Sequence, residues 1–334
     1  MDRNTGFIVI IAYPEVIVQT ANGELISKIW PLFGVGGRQK VRAGHAAMLL
    51  VSKCSNKISY FDFGRYITSD KNGRVRSEQT DNETHIPIAA SHNGKEILNL
   101  EEILLYLDKN PDKTHGEGRL VAGVNSEIDY DKALDFIRRL QDKGEVLYGA
   151  FIKEGSNCAR FVTDTLIAST TNNKILRKLK LSCILTPSPI SNVLRGSSKY
   201  QCKFEVENQE VRAYLNKFSL REHKKYLFSK VPQEVCIRGS IEPNTEKYVS
   251  PNGQWLGGIG SGAWFELREK LGTENLYYIK RRNYNGEIDL AADFISIDKG
   301  FSAQDPFEFQ YGSNCKICLL KQNNKVYRFY RKDE

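Results

Sequence analysis

The sequence predicts an α+β protein in two parts: an antiparallel sheet packed on helices, followed by a mostly β or α+β module. Three observations carry this. Apolar runs at residues 7–13, 46–51 and 58–64 are rich in β-branched and aromatic residues and end at turn-forming residues, the pattern of strands. Apolar residues recur at helical spacing in 100–107 and 129–143. Beyond residue 195 strand-like runs dominate. A chain of 334 residues, 40% hydrophobic, can bury a large core, and its length suggests two domains, placed here at 1–195 and 196–334.

Taken in order, residues 7–13 and 16–18 flank Pro14 as strand segments, and 30–37 (WPLFGVGG) form a loop. Residues 46–51, a turn at 52–57, and 58–64 read as a β-hairpin with aromatic alternation. The polar stretch 68–82 suits a mobile flap over a cleft, and His85-Ile86-Pro87-Ile88 a further edge strand. Asn99 is placed to cap a helix over 100–107, with Glu102 in capping-box position and Leu100, Ile103, Leu104 and Leu107 as its apolar stripe. A short strand at 120–124 precedes a second amphipathic helix over 129–143, stopped by Gly144. A strand at 146–151 then runs into a Gly/Ser/Asn turn and a helix from Cys158 to about Ala168, and the basic run 174–180 continues as helix. The Pro/Ser-rich stretch 186–191 reads as irregular. In the second part, strands are expected at 204–206, 234–237, 276–279, 318–320 and 326–330, with helices at 211–218 and 220–228.

The turn at 155–158 carries chemistry. Ser156 or Asn157 can cap the helix, which puts Cys158 in its first turn. There the helix dipole and the unpaired amides favour thiolate over thiol, as a sulfur nucleophile requires. A lone cysteine is otherwise a small buried core residue. Far upstream, His45 follows Gly44 and opens a strongly apolar run, so its ring sits at the mouth of a strand. Alone it reads as a hydrogen-bonded structural residue; with Cys158 it makes the two halves of a thiolate–imidazolium pair.

With His45 first and Cys158 later in an Asn157-Cys158-Ala159-Arg160-Phe161 context, residues 1–195 resemble the circularly permuted branch of the NlpC-type papain-like cysteine peptidases, which includes lecithin retinol acyltransferase-like proteins. The resemblance implies a circularly permuted papain-like domain, an antiparallel sheet packed on the cysteine-bearing helix. It places the third polar residue on the second hairpin strand, where Asp62 would orient the His45 ring, with His85 as the runner-up. Tyr148, ten residues before Cys158, matches the family's active-site tyrosine, whose hydroxyl can help an oxyanion hole; as a residue it reads equally as a packed core aromatic. The implied activity is that of a cysteine hydrolase, a peptidase or amidase, forming an acyl-enzyme from a peptide, amide or acyl-ester substrate. Acyl transfer to another acceptor is the variant within the same chemistry. No metal or organic cofactor is implied.

The alternative from a different class is a non-catalytic module binding nucleic acid or an acidic partner. The net charge of +8 is spread along the chain, which suits solvated surface better than a nucleic-acid footprint. Tyr278-Ile279-Lys280-Arg281-Arg282-Asn283-Tyr284 interleaves bases and aromatics, as a strand-stacking surface would, but also as a charged strand edge would. Residues 257–262 are glycine-dense but lack a P-loop Lys-Ser/Thr and read as a tight turn. Cys315-Lys316-Ile317-Cys318 is a single C-x-x-C without a second pair. The seven cysteines (54, 158, 183, 202, 236, 315, 318) are odd in number and mostly isolated, which suits reduced thiols and a cytoplasmic setting. The first apolar run lacks a signal-cleavage pattern, and no apolar stretch is long enough to span a bilayer.

Overall fold

A computed structural model of the chain describes residues 3–19, 40–41, 43–184, 186–215, 243, 250, 252–270, 273 and 275–332. The loop expected at 30–37, the strand at 234–237, the helix at 220–228 and the end of the helix at 211–218 lie outside these residues. The described architecture is α+β, with two large antiparallel sheets and few helices.

The first sheet is centred on β1 (Gly6–Tyr13), whose eight residues are all buried. A short pair, β2 (Val18–Gln19) and β3 (Lys40–Val41), stands apart from it. Beside β1 run β4 (His45–Ser52) on one side and β7 (Leu120–Ile128) on the other. Beyond β4 follow β5 (Ile58–Gly64), β6 (Asn72–Arg76) and β8 (Val146–Leu147); beyond β7 follow β9 (Phe204–Glu207) and β10 (Glu210–Ala213). Both faces are covered. On one, α1 (Leu100–Lys109), continued by the short α2 (Pro111–Thr114), seats Ile103, Leu104 and Leu107 against Val9, Ile11 and Leu49. On the other lie α3 (Tyr130–Asp142), α4 (Cys158–Ser169), α5 (Asn173–Ser182) and α6 (Pro189–Gly196), which bury Phe161, Leu166 and Val193 against Ile8, Ile10, Met48 and Leu50. Burial on two faces is why β1 is an unbroken apolar run rather than an alternating one.

Several expectations are corrected here. The boundary near residue 195 cuts this sheet, because β9 and β10 join it through the β7–β9 pairing. The start of the helix expected at 211–218 is strand β10. The expected flap at 68–82 contains β6, which presents buried Arg74 and Arg76; alternation of arginine with valine resembles surface until each arginine meets an acid inside. Of the strand expected at 146–151 only β8 forms, and His85-Ile86-Pro87-Ile88 forms no strand. The Asn99 side chain makes no bond to a helix amide; it accepts from the Ser91 amide (2.8 Å) and donates to the Ala89 carbonyl (3.0 Å) and Glu102 (3.1 Å), tying down the preceding loop. The Pro/Ser stretch starts a helix: Ser188 accepts from the Ser191 amide (3.2 Å), and Pro189 occupies the first turn, where its missing N–H costs nothing.

The second sheet contains β11 (Gln254–Gly258), β12 (Ser261–Glu269), β13 (Leu276–Asn283), β14 (Ile288–Ser296), β15 (Glu308–Phe309), β16 (Ile317–Gln322) and β17 (Lys325–Arg331), in the spatial order β11-β12-β13-β14-β17-β16-β15. The glycine-dense stretch is the β11–β12 turn, with Gly260 at φ 69°. Its core contains Phe265, Ile279, Phe294, Leu320 and Phe329, joined by Ile67 from the β5–β6 connection. No described helix is long and apolar enough to cross a membrane.

Phe161 is fully buried where α4 meets the sheet. Phe161→Ala should lower the unfolding free energy by about 3–5 kcal/mol, read by denaturant titration.

Candidate active site

Helix α4 begins at Cys158 because Asn157 caps it: the Asn157 side chain accepts from the Arg160 amide (2.8 Å) and its carbonyl from the Phe161 amide (2.9 Å). Those bonds leave the amides of Cys158 and Ala159, the pair next to the sulfur, outside the cap. The loop before the helix is held shut by paired backbone bonds, Gly149 N–H to the Ser156 carbonyl and Ser156 N–H to the Leu147 carbonyl, both 2.9 Å. Arg160 reaches back to the carbonyls of Gly149 (3.3 Å) and Ile152 (2.7 Å). Behind the helix, buried Asn192 of α6 donates to the Ala159 carbonyl (2.9 Å) and accepts from Thr163 (2.6 Å). Cys158 is thereby fixed at a helix start, only 6% exposed.

His45 opens β4 opposite Tyr13 of β1. Gly44 delivers it at φ 74°, where a Cβ would sit 2.9 Å from the Tyr13 carbonyl oxygen, so the approach of the chain requires glycine. The ring lies close enough to Cys158 for the sulfur to act on its charge, and its Nε2 is 3.5 Å from Asp62 Oδ2. That contact is an ion pair rather than a hydrogen bond, since Nε2 has no hydrogen-bond partner among the described residues. Burial works against charge on the ring, but Asp62 and the Cys158 sulfur more than offset it and raise the His45 pKa from 6.5 to about 9.

Asp62 is the most constrained residue of the group. It lies opposite Ala47 in the β4–β5 register, hence diagonal to His45, and is fully buried. Arg76 of β6 grips both oxygens, Nε to Oδ1 at 3.0 Å and one terminal nitrogen to Oδ2 at 2.6 Å. Tyr60 and Tyr66 donate to Oδ2 at 2.8 and 3.0 Å. Burial would raise the Asp62 pKa, yet the Arg76 charge, with His45, holds it far below the carboxylate range. Burial and the Asp62 charge push both tyrosine hydroxyls well above their usual value, so they remain donors. The Arg76 guanidinium also lies over the Tyr66 ring at 4.0 Å.

Of the two residues considered as partner for the pair, Asp62 faces His45, whereas the half-exposed His85 bonds Glu78 at 2.8 Å. The Tyr148 ring stacks on Phe63 (5.9 Å between centroids, 10° between planes), and the Arg65 guanidinium lies over it at 4.9 Å. Arg76, Tyr60 and Tyr66 escaped the sequence reading, although Tyr60 and Asp62 share a strand face at i, i+2 spacing. A cavity of about 260 Å³ lined by Phe151, Arg160, Asp164, Cys183 and Thr186 includes neither Cys158 nor His45. Among the described residues no group of three or more His, Cys, Asp or Glu could hold a metal, and Cys315 and Cys318 are buried in the second core. On the basic-aromatic strand β13, Arg281 is buried and Arg282 pairs with Glu266 at 3.1 Å.

Because folding raises the His45 pKa, its contribution to stability is complete below pH 6.5 and drains away as pH rises towards about 9. Unfolding free energy should therefore fall across that window, and His45→Gln should flatten the slope. Arg76→Met, which strips the buried Asp62 carboxylate of its bidentate partner, should cost about 3–5 kcal/mol in the same titration.

Comparison with known proteins adds three findings. The family model of type VI secretion system effectors like TseH matches residues 8–175, just over half of the chain and the part that holds His45, Asp62 and Cys158. The model of the DUF6695 C-terminal domain matches residues 253–332, the second sheet. A crystal structure of the type VI secretion system effector TseH shares 15% identity, covers 63% of this chain and 98% of that one, and superposes with a TM-score of 0.38. No curated protein matches. On the extent of its first match, the chain belongs to the TseH-like family of type VI secretion system effectors.

Proposed function

We propose that the chain is a cysteine hydrolase of the NlpC-type permuted papain-like class, with Cys158 as nucleophile, His45 as general base and acid, and Asp62 as the residue that orients the ring. The observation that carries this reading is an imidazole between a helix-starting sulfur and a buried, fully bonded carboxylate. A structural core cysteine explains the burial of Cys158 but gives no reason to bury a histidine and an ion pair beside it, at the desolvation cost this entails. Membership of an effector family agrees with a hydrolytic role. On this reading the cytoplasmic setting suggested by the reduced cysteines is where the chain is made, rather than where it acts.

With Nε2 turned to Asp62, Nδ1 serves the sulfur. His45 takes the Cys158 proton, and the thiolate attacks the carbonyl of a peptide, amide or acyl ester. The amides of Cys158 and Ala159, with the Tyr148 hydroxyl, receive the oxyanion. Collapse breaks the bond to the leaving group, which takes the proton from His45. Water then gives its proton to His45, attacks the thioester, and releases the acid as the sulfur regains its proton. An acceptor other than water would make the same intermediate an acyl transfer.

A panel of peptides, amides and acyl esters should reveal turnover that falls by at least ~10³-fold in Cys158→Ala and in His45→Ala. Turnover that survives Cys158→Ala would reject the assignment.

A further inference from the structure

The second sheet is tied to the first at the Asp62 site. Ile67, in the connection between β5 and β6, is fully buried in the core of the second sheet, among Phe265, Ile279 and Phe329. Its φ is 45°, a left-handed conformation that a β-branched side chain adopts only when its surroundings impose it. The imposition is visible on both sides. The Ile259 amide bonds the Arg65 carbonyl (2.9 Å), and Gly258 comes so near that a Cβ there would lie 2.2 Å from the Ile67 nitrogen. The residue before Ile67 is Tyr66, whose hydroxyl bonds Asp62 and whose carbonyl accepts from Arg74 Nε at 2.8 Å.

A second tie is ionic. Arg281 of β13 is buried, with its terminal nitrogens 3.6 Å from Asp81, 3.8 Å from Glu83 and 3.5 Å from Asp289. Asp81 is gripped at 2.6 Å on both oxygens by Arg74, and Glu83 lies 3.5 Å from the Arg76 guanidinium that holds Asp62. The Cys315 amide bonds the Thr80 carbonyl (2.9 Å), and Asn82 donates to the Asp289 carbonyl (2.6 Å).

We infer that the second sheet is a working part of the site: by seating Ile67 it fixes Tyr66, and by presenting Arg281 it fixes the carboxylates around Arg76, so that Asp62 is held on His45. Ile67 and Arg281 are positioning residues, and a first unit deprived of this sheet would keep its sulfur and imidazole but lose the grip on the carboxylate. This rests on the role proposed for Asp62, so the test reads His45 directly as well as through Cys158.

In the full chain, the side-chain nitrogens of His45 are titrated by NMR and alkylation of Cys158 is timed by mass spectrometry, with circular dichroism and melting confirming that each variant is folded. Ile67→Gly removes the side chain and tolerates the left-handed backbone; Gly258→Ala pushes on the same point from the second sheet. Freed from the seat, Tyr66 would let water reach Asp62 and screen its hold on the ring. Both variants should move the His45 midpoint from about 9 towards 6.5 and slow Cys158 alkylation roughly tenfold or more, and Ile67→Val should restore both. A His45 midpoint that stays put in folded Gly258→Ala overturns the inference, whatever Ile67→Gly does. If the midpoint moves while wild-type Cys158 reacts no faster than exposed Cys54, the positioning role stands and the hydrolase reading falls.

Discussion

The ion pair between Arg76 and Asp62 is the constraint on which the rest of the candidate site depends. Two charges without solvent are stable together only when the lone pairs and donors nearby are largely used: Tyr60, Tyr66 and the Lys113 carbonyl, which accepts from Arg76 at 3.2 Å, are recruited to this, while the remaining Arg76 nitrogen faces Glu83 at 3.5 Å. The carboxylate so fixed raises the His45 pKa, with help from the Cys158 sulfur. The imidazole in turn lies where the capped start of α4 presents its sulfur. Each residue therefore constrains the next, from an arginine on β6 to a cysteine across the sheet.

The architecture gives these constraints a direction. β1 and β4, buried on both faces, form a rigid floor that sets where His45 emerges. The walls come from elements with little core of their own: the β5–β6 connection, the short α2 and the loop before α4. Those segments are held by polar ties, such as Arg160 on the loop carbonyls and Arg74 on Tyr66, and by the second sheet. A site whose walls are clamped by a second unit can change that unit's outer surface without disturbing the floor.

Much of this was legible in the sequence, and what was not has a common cause. His45 and Cys158 were readable because each sits at a boundary with local punctuation, Gly44 before one and Asn157 before the other. The central strands announced themselves through unbroken apolar runs. Asp62 was offered as a partner for His45 through the family resemblance, and its full burial was not legible, because burial of a carboxylate depends on an arginine 14 residues away. Residues 68–82 were misread as a flap for the same reason: Arg74 and Arg76 look solvated unless Asp81 and Asp62 are known to meet them. Strand β10 and the real extent of the first sheet were missed because pairing with β9 and β7 decides the state of a short polar segment, and local sequence does not record it. The hydrophobic seat of Ile67 is likewise a property of another unit's core.

The most direct test of the Cys158–His45 pairing is the rate of iodoacetamide labelling at neutral pH, resolved cysteine by cysteine by mass spectrometry. Accessibility alone orders the thiols against Cys158, which is 6% exposed while Cys54, Cys183 and Cys202 are open to solvent. Faster labelling of Cys158 than of those three, abolished by His45→Ala, is the predicted result, because an adjacent imidazole would reverse that order and its removal would restore it. Labelling of Cys158 that is slower than theirs and indifferent to His45→Ala would contradict a catalytic pair and leave Cys158 as a core residue.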